Sequence, residues 1–311
     1  EINSYQGSRH KKGLPVRARL TNLRSKIIYK TREQFSSVII ESTAPVPIEI
    51  NYSRADLCQA TLAAGLIMYP GPLHVQDGII KEVLVKHNEG RVVLEINLDE
   101  AVQAEVITIK GLPYRIILRF SRKPLSDFYF NKEIVVDPGH GGPDGGWRGP
   151  VNLWEKDMAW ETALELAQIF EGFGAKVVLT RTVDENLSWQ QRLSKVTPAT
   201  FCFISVHQHG EINDSSRGTT VLYNPSSPGN EQLAAIVLEE IINKVKTPGR
   251  GVHAEAALGS LGAVPALKLK PVTITNWVDE GLLRNPYFHR KTALATAIGI
   301  RHFFAAGKDN E

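Results

Sequence analysis

The alternation of β-type and helical runs after residue 131 is the feature that most restricts the fold of this chain of 311 residues. Short β-branched runs, as at 134–136, are followed by segments such as 156–173, whose apolar residues recur at helical spacing. This alternation predicts a twisted, mostly parallel sheet with helices on both faces. The predicted strands are 133–137, 176–180, 201–207, 219–223 and 272–276, and the predicted helices are about 156–172, 188–196, 229–246 and 287–305.

The first part of the chain has a different pattern, in which β-branched runs are separated by Gly, Pro, Asn and Asp. This pattern favours a small all-β sandwich, with strands predicted at 37–41, 47–50, 91–96, 105–109 and 114–119. We therefore expect a basic N-terminal segment over 1–22, a β domain over 23–125, a linker over 126–131 and an α/β domain over 132–311.

The composition excludes some functions but does not identify one. A net charge of +3 suits an anionic wall or membrane surface, but it is too small to indicate nucleic-acid binding. No apolar run is long enough to span a bilayer, so no transmembrane segment is expected. The chain begins at Glu1 without Met, so any export signal has been removed or lies outside this sequence. Cys58 and Cys202 predict neither a disulfide framework nor a zinc finger.

Three potential metal ligands stand at strand or helix ends of the α/β pattern. His140 follows a strand that stops in a Gly-rich turn, Glu155 precedes a helix, and His207 ends a second apolar run. The loops at the carboxyl edge of a parallel sheet carry functional residues, and two imidazoles with one carboxylate leave an open position on zinc. Each residue also has a simpler interpretation, as a loop histidine, a first-turn acid or a strand-end histidine. The residues alone leave both interpretations open.

Four motifs resemble those of the zinc-dependent N-acetylmuramoyl-L-alanine amidases of the third amidase family. They are Asp137-Pro138-Gly139-His140-Gly141-Gly142, Glu155-Lys156-Asp157, Leu179-Thr180-Arg181 and Ile204-Ser205-Val206-His207, in family order over roughly 132–306. The resemblance implies that His140, Glu155 and His207 bind Zn²⁺ and that the substrate is the bond between N-acetylmuramic acid and L-alanine in peptidoglycan. It also implies an exported protein of the bacterial periplasm or cell envelope.

The first part of the chain resembles the AMIN domain, which often precedes such amidases and binds the cell envelope. Its motifs are much less specific, and an unrelated β-sandwich is the alternative. If the resemblance holds, envelope components are a second class of partner, reached through residues 23–125.

The resemblance also implies a catalytic glutamate at the end of a late strand, in a Val-Glu-X-Gly-Phe-hydrophobic-Ser-Asn stretch after a proline. We align Pro271 with that proline, which places Asn276 at the glutamate position and shortens the loop that follows. Asp279 or Glu280 would then supply the acid–base group, with Asn276 orienting the substrate. Alternatively, Asp279 and Glu280 are solvated acids in the first turn of the last helix.

Two further residues are candidates for substrate contact. His209 lies two residues after His207 and could face the same side of an extended chain, although an exposed loop histidine is the alternative. Arg181 could contact an acidic peptide stem or pair with Asp184 or Glu185. Three function classes stay open: a zinc amidase, an inactive peptidoglycan-binding protein that regulates other hydrolases, and a different metallohydrolase.

Overall fold

A computed structural model of the chain describes residues 18–29, 33–66, 71–88, 90–212 and 215–306. The chain forms two compact units that divide between Arg122 and Lys123. Of the basic segment expected over 1–22, residues 1–17 lie outside the described residues. Residues 19–22 belong to the first strand.

The first unit consists of strands alone within its described residues, as the sequence predicted. Its strands are β1 (Arg19–Tyr29), β2 (Gln34–Ser42), β3 (Ile48–Arg54), β4 (Leu57–Leu62), β5 (Gly65–Leu66), β6 (Leu73–His74), β7 (Ile80–Asn88), β8 (Arg91–Leu98), β9 (Ala104–Ile109) and β10 (Tyr114–Ser121). One sheet has the order β5-β1-β2-β10-β9, and the other has the order β3-β4-β8-β7-β6. Every second side chain of β4 and β8 is buried, as expected for a strand with one apolar face.

Helix α1 (Lys123–Tyr129) opens the second unit, which corrects the expectation of a linker over 126–131. Tyr129 is fully buried, and its ring stacks on that of Phe173. Its hydroxyl donates to the carbonyl of Ala297 at 2.5 Å. This segment is therefore part of the core of the second unit.

The second unit is an α/β domain. Its strands are β11 (Glu133–Pro138), β12 (Lys176–Leu179), β13 (Thr200–Val206), β14 (Thr219–Tyr223), β15 (Gly249–Ala254) and β16 (Ala266–Lys270). Its other helices are α2 (Glu155–Gly172), α3 (Trp189–Leu193), α4 (Asn230–Val245), α5 (Trp277–Leu283) and α6 (Pro286–Ala306), with a 3-10 helix at Ala256–Leu261.

The six-stranded sheet has the order β12-β11-β13-β16-β14-β15, and only the β14–β16 pair is antiparallel. Helices α2 and α4 pack on the sheet, and α6 packs against both of them. Elsewhere Val135, Phe203 and Ala266 pack against Leu258 of the 3-10 helix, with Trp189 of α3 beside them. The predicted mostly parallel sheet flanked by helices is confirmed.

The predicted strand at 272–276 is wrong, because the late strand is β16. The β-branched residues at 272–275 favour a strand, but the backbone N–H of Thr273 donates to the Asp279 carboxylate at 3.1 Å instead of to a neighbouring strand. Strand β16 was not predicted, because two of the five residues in its sequence, Ala-Leu-Lys-Leu-Lys, are charged.

Candidate metal centre

The register of the parallel sheet brings two histidines to one edge. Strand β11 pairs with β13 so that Pro138 lies opposite Val206, and the N–H of Gly139 donates to the Val206 carbonyl at 2.9 Å. His140 and His207, which follow these two strands, therefore leave the sheet side by side. Their ring centroids are 4.8 Å apart, at an interplanar angle of 76°.

Glu155 completes the group from the first residue of α2. One of its carboxylate oxygens, Oε1, lies 3.1 Å from His140 Nε2 and 3.0 Å from His207 Nδ1. The same oxygen accepts the N–H of Gln208 at 3.0 Å, and Oε2 accepts the N–H of Trp147 at 3.0 Å. With only 1% of its surface exposed, Glu155 is fixed by four contacts in a single orientation.

The donor set fits a zinc ion. The three ligand atoms lie within 4.8 Å of one another, and tetrahedral zinc with bonds of about 2.0–2.2 Å separates its ligands by about 3.4 Å. His140 Nδ1 lies 2.9 Å from Asp144 Oδ2, a contact that fixes the ring and leaves Nε2 for a metal. The structure therefore brings together the three residues that the sequence predicted as metal ligands, in a group that could hold a metal ion.

The electrostatics of the group also suit a cation. Burial disfavours the charged form of Glu155, but the hydrogen bonds from His140 and His207 outweigh this effect and lower the pKa of the carboxyl group. Burial lowers the pKa of His207, which favours the neutral imidazole, the form that binds metal. For His140 burial acts in the same direction, but contacts with Glu155 and Asp144 outweigh it and raise the pKa.

Two glycines permit the close approach of the ligands. A Cβ on Gly139 would lie 2.4 Å from the His207 ring, and one on Gly146 would lie 2.6 Å from Glu155 Oε2. Gly146 also has a φ of +66°, which an L side chain rarely adopts. The glycines of this region are therefore required by the geometry of the site.

A buried ion pair supports the loop that carries His140. Arg192 donates to Asp137 Oδ1 at 2.6 Å and to the His140 carbonyl at 3.0 Å. Asp137 also accepts hydrogen bonds from Thr180 at 2.6 Å and from Ser205 at 2.7 Å. This network joins β11, β12 and β13 directly behind the metal ligands.

His140, Glu155 and His207 line a pocket of about 320 Å³. Its lining includes Trp147, Gln208 and Lys270, three residues that the sequence analysis did not single out, beside His140, Gly146, Glu155 and His207. The N–H of His207 donates to the Leu269 carbonyl at 2.9 Å, which brings the end of β16 next to His207. The alternating lysines of β16 were the sequence signal that could have identified Lys270.

Asp279 and Glu280 do not line this pocket. Asp279 accepts hydrogen bonds from Arg217 at 3.0 Å and from the N–H of Gly218 at 2.7 Å. Glu280 accepts the N–H groups of Val151 at 2.7 Å and Leu153 at 3.0 Å. Both side chains are fully buried, so neither is a solvated first-turn acid, and both hold loops in place.

Asn276, Arg181 and His209 also have structural partners away from the pocket lining. Asn276 is the N-cap of α5 and accepts the N–H groups of Val278 and Asp279 at 3.0 and 3.2 Å. These contacts give Asn276 a structural role, and it is not in the lining of the pocket, so its role in orienting substrate stays a prediction.

Arg181 is buried, and its guanidinium donates to backbone carbonyls, including those of Pro138 at 3.2 Å and Lys156 at 3.1 Å. His209 Nε2 lies 2.5 Å from a carboxylate oxygen of Glu211, which also pairs with Arg250. Neither residue is in the lining of the pocket, so their roles as substrate contacts stay predictions.

The observed strand also corrects the alignment of the late motif. Pro265 precedes β16, and Leu269-Lys270-Pro271-Val272-Thr273-Ile274-Thr275-Asn276 aligns with Val-Glu-X-Gly-Phe-hydrophobic-Ser-Asn without a gap, with Asn276 on the asparagine and with Lys270, Val272 and Thr273 departing from the pattern. Lys270 thus stands where the pattern has its glutamate. Placing Asn276 there was wrong, because Pro271 was taken for the proline before the strand.

Comparison with known proteins agrees with this geometry. The family described as N-acetylmuramoyl-L-alanine amidase matches residues 134–302, which is more than half of the chain. The chain therefore belongs to this amidase family, and the resemblance noted in the sequence is confirmed.

Individual relatives share the second unit. A probable cell wall amidase LytH from Staphylococcus aureus is 30% identical over 179 residues, covering 56% of this chain and 59% of that protein. The chain thus spans about three fifths of the length of this relative. Among solved structures, the amidase AmiC2 of Nostoc punctiforme has a TM-score of 0.52 and 27% identity, covering 56% of this chain and 97% of that one. The catalytic domain of the amidase CwlV from Bacillus (Paenibacillus) polymyxa has a TM-score of 0.52 and 25% identity, with shares of 56% and 98%.

Proposed function

We propose that the second unit hydrolyses the amide bond between the lactyl group of N-acetylmuramic acid and L-alanine in peptidoglycan, with Zn²⁺ held by His140, Glu155 and His207. The observation that carries this proposal is the convergence of His140 Nε2, Glu155 Oε1 and His207 Nδ1 on one point, with contacts of 3.0–3.1 Å. When bound in such a site, zinc supplies Lewis acidity that polarises a carbonyl and acidifies water.

The residues of the chain prepare the site for this chemistry. Asp144 orients the His140 ring, and two backbone N–H groups fix Glu155, so the ligand geometry exists before substrate binds. Trp147 is half exposed and lines the pocket, where its ring offers an apolar surface for the sugar or the lactyl methyl group.

The pocket lacks a free carboxylate among its described lining residues. Glu155 is its one carboxylate, and the two imidazoles and two backbone N–H groups occupy it. General acid–base help typically contributes about 10²–10⁴-fold to a rate. We therefore expect slow turnover from this chain.

The presence of Lys270 in the pocket favours a second candidate function. A catalytically weak or inactive protein that keeps the zinc and the groove would still bind peptidoglycan, and it could regulate other hydrolases by occupying their substrate. This candidate differs from the first only in turnover.

For the first unit we propose an AMIN-like role, in which residues 23–125 bind cell-envelope components outside the cytoplasm. The two five-stranded sheets support this proposal. Among the described residues, no helix is both long and apolar enough to cross a membrane.

Metal analysis and digestion of purified sacculi test the proposal together. Purified protein should contain about one zinc ion per chain, and it should release muramic acid carboxyl groups and L-alanine amino termini. The variants His140→Ala and His207→Ala should lose zinc, whereas His253→Ala, at an exposed histidine of β15, should keep it. Full zinc content in His140→Ala would refute the site, and bound zinc without product release would favour the second candidate.

A further inference from the structure

One wall of the pocket carries two polar side chains that the metal does not need. Lys270 ends β16, and the pairing of Val206 with Leu269, one residue earlier, places it beside His207. Gln208 follows His207 directly, and both Gln208 and Lys270 line the pocket.

Gln208 indicates a ligand-binding site, because its side-chain amide has no hydrogen-bond partners within the described residues. The residue is 1% exposed, and neither Nε2 nor Oε1 has a hydrogen-bond partner within the described part of the chain. Its backbone N–H is bonded to Glu155 Oε1 at 3.0 Å, so the residue is anchored next to the metal ligands. Buried amide groups are almost always hydrogen-bonded, and an unmade bond of this kind is costly. Both amide atoms are closed to solvent, so a polar group bound in the pocket would complete these hydrogen bonds after a rotation of the side chain.

Lys270 supplies a positive charge to the pocket, and the carboxylates of Glu155 and Glu255 act on it only through space. It is half-buried, and no hydrogen bond or ion pair to its ammonium group occurs among the described residues. Burial, followed by the nearby charge of Lys268, lowers its pKa, so its present surroundings disfavour the cation. By contrast, Lys268 pairs with Glu255 at 3.3 Å. A divalent cation at the metal site and the Lys270 ammonium group together outweigh the single carboxylate of Glu155, so the pocket would carry net positive charge.

We propose that Lys270 and Gln208 form a carboxylate-binding subsite beside the metal ligands, which takes the lactyl carboxylate of muramic acid. The proposal rests on the proposed function for the identity of the ligand. In hydrolysis the oxygen of water bonds to the acyl carbon, the C–N bond breaks, and the nitrogen takes both protons of the water. The fragments are a carboxylate on the sugar and an ammonium group on the peptide.

The two fragments should therefore leave the site unequally. Lys270 attracts the carboxylate and repels the ammonium group, and the Gln208 amide donates a hydrogen bond to a carboxylate oxygen. The sugar acid stays in the pocket after the peptide has departed. Release of the sugar acid from this subsite then limits turnover. The protein stays bound to glycan whose muramic acid residues carry a free lactyl carboxylate.

Calorimetry on the zinc-loaded full chain tests the subsite. The probes are N-acetylmuramic acid and N-acetylglucosamine, which lacks the lactyl carboxylate. Only the first should bind, and Lys270→Gln and Gln208→Met should each weaken it by about ten- to hundredfold. Lys268→Gln is the matched control in the same strand, and it should bind within about twofold of wild type. Zinc content and thermal unfolding of each variant verify that the site is intact.

The outcomes separate this proposal from the proposed function. Equal binding by wild type, Lys270→Gln and Gln208→Met would overturn the subsite, even if sacculi were cleaved. Equal binding of the two sugars would overturn it as well. Lys270-dependent binding of N-acetylmuramic acid without cleavage of sacculi would establish the subsite and reject the amidase activity.

Discussion

The substitution Glu280→Gln distinguishes a structural role of this residue from the catalytic role that its sequence position suggested. The carboxylate accepts the N–H groups of Val151 and Leu153, on the loop that leads into Glu155, and its side chain is fully buried. A glutamine retains one acceptor oxygen and turns an NH₂ group towards the other backbone N–H. One charge-assisted hydrogen bond is lost and one buried donor is left unpaired.

The expected cost follows from these two changes. Hydrogen bonds to charged groups contribute about 1.5–3 kcal/mol, and an unsatisfied buried donor costs about 1–3 kcal/mol. The contact of Glu280 with Arg284, at 3.4 Å and with Arg284 45% exposed, adds close to nothing. We therefore expect Glu280→Gln to lower the free energy of unfolding by about 2–4 kcal/mol.

Urea denaturation followed by circular dichroism measures this loss, and zinc content and turnover on sacculi are measured at a temperature where the variant stays folded. Glu231→Gln, at an exposed glutamate of α4, is the control and should change stability by less than about 0.5 kcal/mol. Folded Glu280→Gln should keep its zinc and most of its turnover. A stable variant with turnover reduced by about 10²–10⁴-fold would refute this reasoning, because that is the loss expected of an acid–base group.

Three further predictions concern the site and its support. Lys270→Glu should raise turnover on sacculi by at least about tenfold, because it places a carboxylate base in the pocket, and unchanged turnover would contradict this. Asp137→Asn should cost about 3–5 kcal/mol at pH 7 by leaving Arg192 buried without its partner, as measured by urea unfolding. Burial raises the pKa of Asp137, but Arg192 and the hydrogen bonds outweigh this and lower it. Its contribution to stability is therefore complete above about pH 4 and lost as the pH falls through the lowered pKa, a loss that should be smaller in Asp137→Asn. Residues 123–311 should fold without the first unit and show a cooperative thermal transition.

The parts of the fold that the sequence predicted are those in which local pattern and tertiary environment agree. Strands β11 and β13 are continuous β-branched or aromatic runs buried in the sheet centre, and α2 has a regular apolar face. The strands β1, β4 and β7 were missed because polar and charged residues interrupt them. Their assignment depends on cross-strand pairing, which a local pattern does not contain.

The candidate metal ligands could be predicted because strand ends and a helix start mark their positions and because the motifs around them resemble those of the amidase family. The residue at the family's glutamate position could not be predicted, because it depends on which residues form the late strand β16. A run of β-branched residues at 272–275 has a higher strand propensity than Ala-Leu-Lys-Leu-Lys at 266–270. Tertiary contacts reverse this preference, since β16 pairs with β13 on one side and β14 on the other.

That reversal changes the chemistry assigned to the pocket. With the strand at 272–276, the site would hold Asn276 and a carboxylate from Asp279 or Glu280, and its charge would resemble that of an ordinary zinc hydrolase. With the strand at 266–270, the two carboxylates anchor loops and the pocket receives Lys270. A carboxylate base and an ammonium group have opposite effects on an anionic product. If the proposed function is correct, the choice of residues that form this one strand therefore determines whether the site favours turnover or retention of the cleaved glycan.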